Sequence, residues 1–130
     1  MDEHALPATD HLAATDVTEL GSLRAAIEIE RARTVDQIAS LERSFDGIVE
    51  AAELTSTDDE HDPEGATIAY ERAQASALLR QARGDLAALD DSLDRIAGGT
   101  VWACAVCNGP IALARLLALP GTQTCIRCAT

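Results

Sequence analysis
Along the first half of the chain the apolar positions recur at helical spacing. Leu20, Leu23 and Ile27 share one face, and Ile38, Leu41, Phe45, Ile48 and Ala52 continue with steps of three and four. That alternation is a heptad seam. Between Ile27 and Ile38 the seam takes an 11-residue step through Arg31 and Thr34, which predicts local unwinding of a supercoil. Thr18 is an acceptable N-cap with Glu19 in the first turn, so a helix is expected from Thr18 to about Leu54, roughly 55 Å long. Residues 1–16 mix Asp, Thr, Ala, His and Pro without periodicity and read as a disordered acidic arm.

A second seam is cleaner. Ala75, Leu79, Ala82, Leu86, Leu89, Leu93 and Ile96 keep heptad spacing, extended upstream by Ile68 and Arg72, and Gly98-Gly99 ends it. Two helices of similar length joined by one acidic linker predict an antiparallel hairpin over residues 17–99, with its tip at 55–66. Alanines at Ala52, Ala75 and Ala82 allow close approach. An intramolecular partner for each seam predicts a monomer. The expected fold is mainly α: a long antiparallel coiled-coil hairpin, then a small cysteine module at 100–130.

Composition supports helices over a thick globular core. Of 130 residues 47% are apolar, but many of these are alanine, and Phe45, Tyr70 and Trp102 are the only aromatics. The formal charge is −12, with all ten basic residues arginine. A surface this acidic repels phosphate backbones, so direct DNA binding is not expected; basic protein surfaces suit it better. The first residues lack a signal peptide's basic start and apolar run, and no stretch approaches the ~18 apolar residues that span a bilayer. A cytoplasmic protein is expected.

The chemistry is concentrated at the C-terminal end. All four cysteines form two C-x-x-C pairs, Cys104 with Cys107 and Cys125 with Cys128, 17 residues apart. That spacing suits one zinc ion bound by four thiolates in a closed, structural tetrahedron. Asn108-Gly109 suits a turn with positive φ that aims N–H groups at sulfur. A redox dithiol would want one pair beside a βαβ pattern, and a disulfide an oxidising compartment; the sequence offers neither. His4 and His11 read as solvated. Trp102 is expected to pack against Leu116 or Leu119, and a short helix is expected over Leu113–Leu117, ended by Pro120-Gly121.

The linker is the other informative stretch. Asp58, Asp59, Glu60, Asp62 and Glu64 crowd around His61. Asp62-Pro63-Glu64 is a good helix start, but capping needs only one or two acids. The surplus points to a probe for a basic surface or a bound Mg²⁺.

The run CAVCNGPIALARLLALPGTQTCIRC resembles the TraR/DksA-type zinc finger. The matching positions are Cys104, Cys107, Ile111, Arg115, Leu116, Ala118, Pro120, Cys125 and Cys128; Asn108 and Trp102-Ala103 depart mildly from the family pattern. The resemblance implies one structural Zn²⁺ and a transcription regulator that inserts its coiled-coil tip into the secondary channel of RNA polymerase, where a D-x-x-D-x-A motif acts. Two alignments compete. Asp59-x-x-Asp62 keeps both acids but puts Glu64 at the alanine, whereas His61-x-x-Glu64-x-Ala66 keeps the alanine and loses the first acid. Family members that respond to ppGpp use basic residues near the finger–stalk junction; here Ala129 follows the last cysteine and lysine is absent. A zinc-ribbon adaptor for another protein is the alternative. A hydrolase using the tip acids lacks a nucleophile and a His ligand pair, so no enzymatic activity is expected.

Overall fold
The structure, a computed structural model, describes the backbone of residues 5–54 and 63–129 and the side chains of 17–54 and 65–129. It is mainly helical. The elements are α1 (Ala5–Leu54), α2 (Pro63–Gly98) and α3 (Leu113–Ala118). Among the described residues, β pairing is confined to an isolated antiparallel bridge between Ala103 and Pro110. The two long helices form an antiparallel hairpin. Partner numbers along α2 fall as those along α1 rise: Arg31 pairs with Asp90, and Glu42 with Arg83.

Helix α1 starts at Ala5, not at Thr18, so the arm expected to be disordered is helical from Ala5 onward. Pro7 falls in the first turn, where its missing N–H costs nothing. The following His-Leu-Ala-Ala-Thr-Asp run contains no breaker, and alanine favours helix without any apolar periodicity to announce it. The linker residues Asp58, Asp59, Glu60, His61 and Asp62, and the side chain of Glu64, lie outside the described residues. Ala66 is exposed in the first turn of α2.

The chain divides into two units, Ala32–Ala87 and the combination of Met1–Arg31 with Ala88–Thr130. In the first, Ala75, Leu79 and Ala82 of α2 are buried, with Ile38, Leu41, Phe45 and Ile48 of α1 half-buried. Thr34 is buried as well, 4% exposed. Its burial explains the long step in the first seam. Leu20, Ile27, Thr34, Leu41 and Ile48 are spaced by sevens, so the heptad continues through a polar position instead of breaking there.

The second unit has one core fed by both helices and the cysteine module. Leu23, Ile27, Leu89 and Ile96 cluster with Val101, Cys104, Ile111, Leu116 and Cys125. Helix α2 ends in a Schellman turn. Gly99 adopts φ +77, its N–H donates to the Ile96 carbonyl, and the Thr100 N–H reaches back to that of Arg95. The Arg95 guanidinium then donates to the carbonyls of Thr100 and Ala103, tying the helix end to the strand-like entry of the first knuckle.

Candidate metal centre
The first knuckle is built by a tight turn. The Cys104 N–H donates to the Gly109 carbonyl at 2.7 Å, the Asn108 N–H to the Cys104 carbonyl at 2.9 Å, and the Ile111 N–H to the Trp102 carbonyl at 2.7 Å. Asn108 takes φ +62, a left-handed conformation that asparagine tolerates better than most residues. Gly109 is needed for space: a Cβ there would lie 3.2 Å from the Cys107 sulfur, which the Gly109 N–H meets at 3.3 Å.

The second knuckle is placed by hydrogen bonds from several directions. The Ala105 N–H donates to the Gln123 carbonyl at 2.8 Å, and the Cys125 N–H donates to the Cys104 sulfur at 3.3 Å. Arg115 Nε on α3 donates to the Thr124 carbonyl at 2.8 Å, fixing the residue before Cys125. Gly121, at φ +98, lets the loop lie on α2, where an added Cβ would meet Leu89 Cδ2 at 3.3 Å and Ala88 Cβ at 3.8 Å. Gln123 Nε2 reaches the Asp91 carboxylate at 2.6 Å. Trp102 packs, half-buried, against the core that contains Leu116, whereas Leu119 is half exposed.

The four sulfur atoms lie within 4.8 Å of one another, with Cys107 and Cys125 at 3.7 Å. A tetrahedron with Zn–S bonds of ~2.3 Å requires sulfur separations of about 3.8 Å, so the cluster fits one zinc ion. Backbone N–H groups aimed at Cys104 and Cys107 provide the hydrogen bonds that thiolates accept. The acid–base balance fits a cation equally well. N–H groups of Cys107 and Cys125 outweigh burial and hold Cys104 down to about 6. Cys125 is raised by burial, yet the N–H groups of Cys128 and Arg127 prevail and its net shift is downward. Cys128 is pushed up to about 12, because its thiol is shared with Cys125 and then Cys107, and burial adds to this. Four thiolates this close need a dication; without one, the repulsion is relieved by retaining a proton.

Fold and site together define a helical hairpin carrying a four-cysteine zinc finger. Residues 96–130 match the prokaryotic dksA/traR C4-type zinc finger. The chain thus carries a TraR/DksA-type finger with one structural zinc. The fold is similar to that of a solved structure, transcription factor DksA2 from Pseudomonas aeruginosa, with a TM-score of 0.72, 23% identity, and coverage of 88% of this chain and 83% of that one. No curated protein matches the chain by sequence. Among the described residues, no helix is long and apolar enough to cross a membrane.

The spacing of the cysteines made the ligand set visible in sequence. Arg115 was visible there only as a matching position in the family pattern. Its part in holding Thr124, and the contact of Gly121 with Leu89, depend on where the loop lands on α2, which no local pattern announces.

Proposed function
We propose that this chain is a transcription regulator that acts on RNA polymerase through its secondary channel, without binding DNA sequence-specifically. The observation that carries the reading is a dksA/traR-type finger on a hairpin whose fold is similar to that of transcription factor DksA2 over most of both chains. In this reading Cys104, Cys107, Cys125 and Cys128 ligate the zinc, which fixes the two knuckles against the helix ends and performs no chemistry on a substrate. The tip, with Asp58, Asp59, Glu60, Asp62 and Glu64, is the part that works in the channel, where its carboxylates can approach a bound Mg²⁺ or a basic channel lining. The whole chain's net charge of −12 favours a basic protein surface over nucleic acid. The protein acts as a cytoplasmic monomer and not as an enzyme.

The test is co-purification. The tagged, zinc-loaded chain should retain the polymerase core subunits from a bacterial lysate, and purified core should compete for the same protein. Retention of some other protein with no polymerase subunits would replace this reading with that of a zinc-ribbon adaptor.

A further inference from the structure
The finger carries an open apolar groove between α3 and the second knuckle, with a volume of about 470 Å³. Ala114, Ala118 and Leu119 line one side and Ile126 the other, with Arg115 and Arg127 also on the lining. Ile126 is 77% exposed and Leu119 50% exposed. Ile126 cannot be folded inward cheaply. It sits inside the C-x-x-C turn next to Cys125, which is itself buried, so the knuckle that forms the metal site holds the isoleucine outward.

Charge says what would cover this surface. Every Asp and Glu of the chain lies before residue 100, and outside the four cysteines of the metal site the charged side chains of residues 100–130 are Arg115 and Arg127. Both line the groove. Arg115 is held in place by its bond to the Thr124 carbonyl. In a chain of net charge −12, the acid-free finger thus presents two guanidinium groups beside exposed isoleucine and leucine. Guanidinium groups pair well with carboxylates, and an apolar floor beside them anchors a neighbouring aliphatic or aromatic side chain.

We propose that this groove docks a short segment of a partner protein in which acidic residues alternate with large apolar ones. The carboxylates pair with Arg115 and Arg127, and the apolar side chains cover Ile126 and Leu119. The proposal is independent of the polymerase reading and is tested without polymerase.

The experiment selects short random peptides displayed on phage against the immobilised, full-length, zinc-loaded chain. The recovered peptides are then synthesised, and their binding is measured by fluorescence anisotropy at low and high salt. The expected peptides carry Asp or Glu beside Leu, Ile or Phe and bind several-fold more weakly at high salt. Ile126→Asp and Arg127→Glu should each weaken binding about tenfold or more, as truncating an anchor does, while Arg127→Lys should retain most of it. Each variant is compared at full zinc loading, which separates a docking role from simple neutralisation of the zinc–thiolate centre. If no peptides are recovered, or if the recovered peptides are basic or bind both variants as tightly as the parent, the proposal is overturned. So it is if sedimentation shows self-association that Ile126→Asp abolishes, since a second copy would then be the occupant.

Discussion
At the scale of single residues, the finger depends on a few positions where backbone and sulfur leave no slack. Asn108 accepts φ +62 at modest cost, so Asn108→Gly should leave stability nearly unchanged, whereas Asn108→Val should cost about 1–2 kcal/mol because a β-branched residue fits this region poorly. Thermal melts of the zinc-loaded variants measure the difference. Ser92 presents the opposite case. It is 2% exposed, and among the described residues its Oγ has no hydrogen-bond partner. A buried hydroxyl without a partner loses its solvation and gains nothing, so Ser92→Ala should be neutral or stabilising by up to about 1 kcal/mol in denaturant unfolding. A clear loss of stability would mean that the hydroxyl is satisfied in solution.

Cys104 and Cys128 sit at opposite ends of the thiol range. Cys104 is held down to about 6 and Cys128 is pushed up to about 12. At neutral pH the Cys128 proton must therefore leave when zinc enters, while Cys104 has already lost its own. Zinc affinity should rise with pH and fall steeply once the medium is acid enough to protonate Cys104 as well. Competition with a chelator from about pH 8 down to about pH 5 should show a fall of at least tenfold per unit, one factor of ten for each proton displaced.

At the scale of elements, the heptads were readable and their interruptions were not. Of the seam in α2, Ala75, Leu79, Ala82, Leu89 and Ile96 are buried as its spacing implies, and Leu86 and Leu93 are half-buried. Thr34 is buried in the first seam even though it is polar, and an apolar-only reading of that stretch therefore finds a gap where the heptad continues. The start of α1 was equally silent: alanine-rich helix has no amphipathic signature, so nothing in residues 5–16 separates helix from coil except propensity. The end of α2 was legible, since Gly98-Gly99 announces a Schellman turn. Leu89 sits where the elements meet, in the common core and against Gly121. Leu89→Ala should cost about 2–5 kcal/mol, and a drop in melting temperature without loss of zinc would place that cost in the packing.

At the scale of the molecule, the cysteine module is not an appendage. Cys104 and Cys125 belong to the same core as Leu23, Ile27, Leu89 and Ile96. Sequence reading separated a finger from a hairpin because the cysteines and the heptads are distinct patterns; their shared core comes from side chains that each pattern leaves at its edge, such as Val101 and Ile111. Zinc binding supplies folding free energy, and removing zinc with a chelator should therefore lower the melting temperature of the α1 and α2 segments packed on the finger as well as unfold the finger. Circular dichroism should show a partial loss of helix. A helical signal wholly indifferent to chelation would contradict the common core.

A purified transcription assay tests most directly the proposed action of the hairpin and its acidic tip on polymerase. Asp59→Asn with Asp62→Asn removes two charges while nearly keeping side-chain size, and Asn is as good an N-cap as Asp. The double variant should stay within about 1 kcal/mol of the parent in stability. The parent chain should alter transcript yield from a sensitive promoter, and the double variant should bind polymerase core as tightly yet leave the yield unchanged. A parent without effect at saturating concentration, or a double variant that regulates as the parent does, would contradict the account.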